Sequence, residues 1–471
     1  MTPLYVDLDG TLYPGDTLHD SVMLHLQGDP WSILSVGVAM ARGPVMAKAW
    51  LAERVLPNPV LLPYRTELID WISSQRASGR RVVLATAAHV RIAEAVAKHL
   101  GCFDAVIATD SINRKGAVKL AAIQADAQGP FVYAGDCAAD LPIWKAAEGA
   151  VLTGPAATWP ETRIGCPVIQ RFPSQVTAAK AFIKAIRPHQ WVKNVLVFLP
   201  LLAGHVTAGS SWLAALAMFA AFCGCASSVY LLNDLLDLEN DRAHPRKRRR
   251  PFAAGTLPIM WGVVAGPLLL LVAGILAWLV SWSALAILSL YYAATVAYSF
   301  ELKRRVLLDV FVLAGLYVIR AVAGAVAVSV PMSPWLMAVL VFLFLSLALG
   351  KRAAELHGVQ AKGDSQAKGR GWRVEDLPFV TTGGIAAAFA TALVVGLYVA
   401  GPTAPDLYRQ PTVLWGLVPL ILWWSCRVWL KAGRGELHDD PIVFAIKDRG
   451  SWIMVLLAIG LILAASPKGS L

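Results

Sequence analysis

The pattern of apolar and polar positions changes character near residue 188. Before that point, short apolar runs such as Tyr5–Val6, Arg81–Leu84 and Phe131–Ala134 each end in polar, turn-forming residues. This predicts the strands of a soluble α/β domain from Met1 to about Pro188. A mostly apolar helical stretch containing Trp31 and Trp50 lies between Asp16 and Pro57, and a Pro/Gly-bearing segment from Thr153 to Pro173 reads as a linker. Beyond Trp191, apolar runs near the ~20 residues needed to cross a bilayer recur. They fall at roughly 192–208, 211–232, 257–280, 282–300, 306–329, 333–350, 383–401, 411–430 and 450–467, which predicts an all-α bundle of nine spans.

Charge gives these spans a direction. The joining loops at 233–256, 301–305, 351–382 and 431–449 are rich in Lys and Arg, whereas those near 209, 281 and 331 carry neither. The positive-inside rule puts the basic loops and the N-terminal domain in the cytoplasm of a plasma-membrane protein. Nine crossings then leave the C-terminus outside. Of the 471 residues, 57% are hydrophobic and 15% charged, with a net charge of +11. Because much of that excess flanks apolar spans, it favours the lipid bilayer and phosphorylated substrates over nucleic acid. The six cysteines show no zinc spacing and read as free thiols. The chain opens directly on a strand, so no signal peptide is expected. The polar, Gly-rich run Gly363–Gly371 reads as a mobile loop.

Asn233, Asp234, Asp237 and Asp241 form N-D-x-x-D-x-x-x-D where the apolar stretch Ser211–Leu232 ends. Offsets of three and four put the three carboxylates on one helix face. Aligned carboxylates repel one another and need cations, and Mg²⁺ prefers carboxylates together with substrate phosphates. The basic run Arg246–Arg250 follows at once and supplies further partners for phosphate. Other unusual residues sit at predicted cytoplasmic ends: Arg187 to Asn194, including Gln190 and Lys193; Tyr298 and Lys303; Asp309; Lys351, Arg352 and Glu355; and Asp439 with Asp440. Arg320 lies deep in a span, where an isolated charge is costly, and a carboxylate or phosphate partner is expected for it.

Together these segments resemble the UbiA-type intramembrane prenyltransferase superfamily over about Ala185 to Ala465. The fit is nearest to decaprenyl-phosphate phosphoribosyltransferases, through R-P-x-Q-W-x-K-N at Arg187–Asn194, D-R-x-H-P-x-K-x-x-R-P-x-A-x-G at Asp241–Gly255, Y-S-x-x-L-K…D at Tyr298–Asp309, K-R-x-x-E-L at Lys351–Leu356 and D-D-P-[IV]-x-F at Asp439–Phe444. The resemblance implies a helical bundle that transfers 5-phosphoribose from phosphoribosyl diphosphate to a polyprenyl phosphate. It assigns Mg²⁺ on the leaving diphosphate to Asp234, Asp237 and Asp241. Substrate contacts fall to Gln190, Lys193, Asn194, Asn233, Arg242, Arg246, Arg250, Tyr298, Lys303, Asp309, Arg320, Lys351, Arg352, Glu355, Asp439 and Asp440.

The N-terminal strands end in chemistry of their own. D-x-D-G-T spans Asp7 to Thr11, the second strand runs into Ala85-Thr86, Asn113-Arg114-Lys115-Gly116 follows, and the third strand ends at Gly135-Asp136 with Asp140 close behind. Four such pieces in this order, over Met1 to Leu152, resemble the haloacid-dehalogenase (HAD) hydrolase superfamily, an α/β Rossmann-like fold with a small helical cap. The resemblance makes Asp7 the nucleophile, Asp9 the general acid/base and Thr86 the phosphoryl-binding residue. Lys115 is the compensating lysine, with Lys119 as competitor, and Asp7, Asp136 and Asp140 form the Mg²⁺ site. The apolar stretch at 16–57 takes the place of the cap, either as its core or as a surface for membrane or prenyl chain.

The expected organisation is thus 1–152 hydrolase, 153–184 linker and 185–471 membrane transferase. The two activities make a bifunctional membrane enzyme. The transferase forms polyprenyl-phosphoryl-5-phosphoribose, and the hydrolase removes its 5-phosphate to give a lipid-linked ribose for cell-envelope glycans. The alternative is an aromatic prenyltransferase of quinone or haem biosynthesis with a fused phosphatase or regulatory domain. The loop after Tyr298, Y-S-F-E-L-K with no second D-x-x-x-D, argues against it. Lipid chain length is not legible in the chain, and a homo-oligomer is left open.

Overall fold

The computed structural model describes every residue except 175, 367–368, 438–443, 446 and 467–471. The chain divides into two compact units. One comprises Met1–Arg187 with Tyr230–Pro267, the other Pro188–Val229 with Leu268–Leu471. The segment carrying the Asp-rich motif therefore groups with the N-terminal part of the chain, whereas the sequence places it in the membrane domain.

The first unit holds a parallel sheet of six strands: β1 (Leu4–Val6), β2 (Val82–His89), β3 (Ala105–Thr109), β4 (Val132–Gly135), β5 (Gly149–Gly154) and β6 (Val168–Pro173). Their order is β3-β2-β1-β4-β5-β6. Every ladder is parallel. β1 is buried throughout, as a strand covered on both faces must be. Leu4 and Val6 pack on one face against Leu68, Ile72 and Ile92. Tyr5, pointing the other way, packs with Ile123 and Trp144. The expected linker is part of this architecture: β6 pairs with β5, so the sheet continues to Pro173.

Residues 16–57 form three cap helices, Thr17–Gly28, Ile33–Ala41 and Pro44–Ala52. The first is capped by the Asp16 carboxylate, which accepts from the N–H groups of Leu18 and His19. Met23, Ala47 and Leu51 supply the buried apolar contacts of the cap.

Seven helices among the described residues are long and apolar enough to cross a membrane: Gly209–Leu236, Ile259–Val280, Trp282–Phe300, Leu308–Ala327, Pro334–Gln360, Val374–Ala400 and Pro411–Gly433. The other two expected spans, the first and the last, are not among these helices. The stretch expected as the first span folds as a 3-10 run, Pro188–Phe198, followed by the short helix Leu199–Ala203. The last is a helix of 16 residues, Arg449–Ala464. At 1.5 Å per residue that is about 24 Å, short of a ~30 Å hydrocarbon core. Inside the second unit, the 3-10 run lies against the helix Leu308–Ala327. A Cβ built on Gly324 would meet the Val197 carbonyl oxygen at 1.9 Å, so only glycine permits this approach.

Candidate active sites

Parallel α/β sheets assemble their sites at the carboxyl ends of the strands, and β1, β2 and β4 do so here. Asp7 follows β1. Its Oδ1 accepts from the Leu8 N–H at 2.8 Å and its Oδ2 from Lys119 Nζ at 2.6 Å. Asp9 accepts from the Thr17 backbone N–H at 2.8 Å and from the Thr17 hydroxyl at 3.2 Å, which ties the loop to the start of the cap. Thr86 is buried on β2, its Oγ1 accepting from the Ala88 N–H. After β4, Asp140 accepts from the backbone N–H groups of Asp136 and Cys137 and from the Tyr133 hydroxyl. Asp136, Cys137 and Asp140 offer ligand atoms within 4.8 Å of one another. From the cap, Lys48 reaches the Ala87 carbonyl at 2.6 Å and Asn113 Oδ1 at 3.2 Å.

Lysine assignment is where geometry departs from the sequence expectation. Lys115 is exposed in the loop, whereas Lys119 is buried in the first turn of the helix Ala117–Ala127 and reaches both Asp7 and Tyr133. One helical turn decides the matter, and the motif spacing could not. Burial pulls Lys119 down, but Asp7 and Asp140 outweigh it and hold the ammonium above its usual range.

The carboxylates here outnumber their cation. Burial raises Asp7 against the pull of Lys119. Burial, then Asp140 and Asp7, push Asp136 up to about 7. Gly10 sits at φ +76° and its missing Cβ would lie 2.2 Å from Asp136 Oδ2; a Cβ on Gly135 would lie 2.6 Å from Asp140 Oδ2. Oxygen ligands closing on a glycine cradle with surplus negative charge fit a hard divalent cation.

A second acidic cluster occupies the other segment of the same unit. The helix Gly209–Leu236 ends just before Asp237, which opens the short helix Leu238–Ala243. The carboxylates therefore do not share one continuous helix. Helical hydrogen bonds nevertheless cross the break, from Asp237 N to the Asn233 carbonyl at 2.9 Å and from Asp241 N to the Asp237 carbonyl at 2.8 Å. Arg250 Nη1 lies 3.1 Å from Asp234 Oδ1 and 2.6 Å from Asp241 Oδ2, so one guanidinium joins the two. Arg187 pairs with Asp234 as well. Asp234 and Asp241 are buried, and among the described residues Asp234 Oδ2 and Asp241 Oδ1 accept no hydrogen bond, although Lys247 Nζ lies 3.9 Å from the latter; carboxylate oxygens of this kind suit Mg²⁺ shared with substrate phosphates. Asp237 is half-buried and Arg246 is exposed.

The sequence places Arg242 among the substrate contacts; its surroundings correct that. It is buried and donates to Asp20 Oδ2 at 3.0 Å, the Tyr13 hydroxyl at 2.6 Å and the Ala253 carbonyl at 3.3 Å. It is an internal clamp between the cap's first helix and the Asp-rich segment.

In the second unit, Arg320 meets no carboxylate among the described residues, where a carboxylate or phosphate partner is expected. Its Nε donates to Asn194 Oδ1 at 2.8 Å and its Nη2 to the Tyr291 hydroxyl at 2.8 Å, and Nη1 bonds the Leu316 carbonyl. It also lies over the rings of Tyr291 and Tyr317. Neutral donors, acceptors and π faces solvate it, and Asn194, itself buried, serves as one of them. Lys193 Nζ stands 5.9 Å from the Tyr317 ring centroid.

A second network joins Tyr298, Asp309, Arg352 and Glu355. Arg352 is fully buried. Its Nε lies 2.9 Å from Asp309 Oδ2, its Nη2 donates to the Tyr298 hydroxyl at 3.0 Å, and it pairs with Glu355. Sequence reasoning missed two members. Arg370 Nε sits 3.0 Å from Glu355, and Trp372 Nε1 donates to Asp309 Oδ1 at 2.9 Å. Arg370 lies near the end of the run read as a mobile loop and Trp372 just past it, and these contacts pin the chain there. Their only signal was an Arg and a Trp in a Gly-rich segment. Gln190, Asn233, Lys303 and Lys351 are half-buried. Asp439 and Asp440 lie outside the described residues.

Comparisons with known proteins match two successive parts of the chain, the second taking in the Asp-rich segment. Residues 195–447 match the UbiA prenyltransferase family, and residues 31–145 match haloacid dehalogenase-like hydrolase, a span that begins after the Asp7–Asp9 pair. The chain is 39% identical over 471 residues to "Uncharacterized protein y4nM" of Sinorhizobium fredii, covering 98% of this chain and 91% of that protein. It is 36% identical over 296 residues to the decaprenyl-phosphate phosphoribosyltransferase of Mycolicibacterium smegmatis, covering 60% of this chain and 91% of that one. It is 33% identical over 286 residues to the nodulation protein NoeC of Azorhizobium caulinodans, covering 60% and 92%. With more than half its length matched and seven helices of spanning length, the chain is a multi-pass membrane member of the UbiA prenyltransferase family that carries a haloacid dehalogenase-like hydrolase domain.

Proposed function

We propose that the membrane part transfers 5-phosphoribose from phosphoribosyl diphosphate to a polyprenyl phosphate, and that the hydrolase domain then removes the 5-phosphate. The product is a polyprenyl-phosphoryl ribose for cell-envelope glycan synthesis. The observation that carries the reading is that two buried acidic centres lie on one chain that is similar to a decaprenyl-phosphate phosphoribosyltransferase. Transfer leaves a phosphomonoester on the lipid, which is the group a HAD site cleaves.

In the transfer step, Asp234, Asp237 and Asp241 would hold Mg²⁺, which supplies charge neutralisation on the departing diphosphate. Arg250, Arg246 and Lys303 add positive charge for phosphate oxygens. Gln190, Lys193, Asn233, Tyr298 and Lys351 complete the donor contacts. Asp309, with Arg352 and Glu355 behind it, holds that wall in place. The acceptor phosphate is already an anion at neutral pH, so no strong general base is required. In the hydrolytic step, the Asp7 carboxylate attacks phosphorus and forms an aspartyl-phosphate as the sugar C5 oxygen leaves. Asp9 donates the proton to that oxygen. Burial, with Asp16 adding to it, holds the Asp9 carboxyl well above the ordinary range, which suits a proton donor. Water then attacks phosphorus and Asp9 takes its proton. Thr86 and Lys119 bind the phosphoryl oxygens. Asp7, Asp136 and Asp140 would hold a second Mg²⁺, which offsets phosphoryl charge.

The basic loops put the N-terminal domain on the cytoplasmic face of the plasma membrane. Arg242 of the Asp-rich segment pairs with Asp20 of the cap, so that segment shares a side with the N-terminal domain; on this reading Pro188–Ala203 crosses together with Gly209–Leu236, and an outside C-terminus requires that Arg449–Ala464 cross as well.

The test is mass spectrometry of lipids made by the purified full-length protein from phosphoribosyl diphosphate, Mg²⁺ and polyprenyl phosphate. Wild type should accumulate the lipid ribose. Asp7→Asn should accumulate a product heavier by one HPO₃ unit, with transfer intact. Identical products from the two proteins, or a prenylated aromatic compound from either, would show the reading wrong.

A further inference from the structure

The cap helix Ile33–Ala41 carries a surface that its own domain does not use. Only Val36 and Ala39 of this helix are buried. Trp31 is 91% exposed and Leu34 79%, and Ile33, Val38 and Met40 are exposed beside them. No charged residue occurs from Trp31 to Ala41, and the run closes on the exposed Arg42. A helix facing water carries charge on its outer side. A contiguous apolar patch of this kind marks a partner or a membrane.

The same unit shows what such exposure means elsewhere. Trp261, Val263 and Val264 are also exposed, at the start of a helix of membrane-spanning length, where lipid is the solvent. The cap is tied to the neighbouring stretch of chain. The helix Gly209–Leu236 ends, Glu239 and Arg242 follow at once, and both grip the cap. Arg242 Nη1 donates to Asp20 Oδ2 at 3.0 Å, and Glu239 Oε1 accepts from the Asn58 backbone N–H at 3.0 Å. From Asp20 to the end of its helix at Gly28 is about 12 Å at 1.5 Å per residue. The chain turns there directly into Trp31. The apolar helix is thus held within about two helical turns of residues that emerge from a membrane-length helix. Interfacial helices sit ~5–10 Å into the headgroup and acyl boundary.

We propose that Trp31 and the helix Ile33–Ala41 lie in the lipid headgroup layer, with Trp31, Leu34 and Val38 toward the acyl chains and Arg42 at lipid phosphates. The cap then works as a membrane-surface anchor that keeps the hydrolase mouth at the bilayer. Trp supplies the amphipathic ring favoured at that depth, and Arg the cation for anionic headgroups. This inference does not depend on which lipid the enzyme makes.

The test places the photoreactive residue p-benzoylphenylalanine at Trp31, at Leu34 or, as control, at Gln124. Gln124 is exposed on the helix Ala117–Ala127 of the sheet domain. Each full-length variant is reconstituted in phosphatidylethanolamine–phosphatidylglycerol vesicles, illuminated and digested for mass spectrometry. A thermal transition like wild type qualifies each variant. Lipid adducts at positions 31 and 34, at least ten-fold above those at 124, are the expected result. Crosslinks from 31 or 34 to a second copy of the chain overturn the proposal in favour of an interface between copies. Lipid adducts equal at all three positions, or absent from 31 and 34, overturn it outright.

Discussion

At the carboxyl ends of the central strands, Asp7 and Asp140 gather around one buried lysine; past the helix Gly209–Leu236, Asp234 and Asp241 gather around Arg250. The two cations do different work. Lys119 is a compact point charge on Asp7, with the Tyr133 hydroxyl 3.0 Å away. Arg250 is a planar fork whose single Nη1 bridges two carboxylates seven positions apart, with Arg187 reinforcing one of them. The first arrangement engages both Asp7 oxygens, one by the Leu8 N–H and one by Lys119, beside a cluster of metal-type ligands. The second leaves two buried oxygens, Asp234 Oδ2 and Asp241 Oδ1, without hydrogen bonds among the described residues. A covalent reaction on phosphorus needs one privileged oxygen; holding a departing diphosphate needs a row of ligands for cations. On the proposed function, the difference in scaffold follows from the difference in chemistry.

The sharpest way to break this comparison is to disable one centre and assay both. Asp234→Asn or Asp237→Asn should reduce transfer by about 10³-fold or more, the scale of a lost electrostatic centre, while hydrolysis of p-nitrophenyl phosphate by the same protein stays within two-fold. Equal loss of both activities would mean that the centres are not separate.

A smaller effect is expected at the clamp. Arg242→Ala leaves Asp20 buried without its partner, and breaking such a pair costs about 3–5 kcal/mol. Thermal unfolding of the purified variant should shift down accordingly, and both activities should fall together. An unchanged transition would show that the clamp carries no stability.

The smallest effect separates the two lysines. Lys119→Ala should lower phosphatase kcat by about 10²-fold, at the low end for loss of one charge-stabilising group. Lys115→Ala, at an exposed position, should change it less than two-fold. The reverse ranking would restore the spacing-based assignment.

Much of this was legible before any coordinates. D-x-D-G-T, the apolar strand before it and the Gly135-Asp136 turn announce a strand-end acidic site, because strand, turn and carboxylate are adjacent in sequence. N-D-x-x-D-x-x-x-D is legible for the same reason, although the break at Asp237 is not. What failed were residues whose meaning lies in partners far along the chain. Arg242 finds Asp20, 222 positions away. Arg320 finds Asn194, 126 away. Arg370 and Trp372 find Glu355 and Asp309.

By itself the sequence determined the two-part organisation, the α/β sheet, the helices of spanning length and the residues of both acidic centres. Each of these depends on local periodicity, length or a short motif, and local physics fixes them. Tertiary structure alone decided which lysine meets Asp7, which arginines are spent inside the protein, and that the first expected span is a 3-10 run against Gly324. It also showed that the cap's apolar residues divide between a buried core and an exposed face. Those outcomes depend on which side chains meet after folding. Desolvation and pairing energies depend on separation in space, and separation along the chain does not report it.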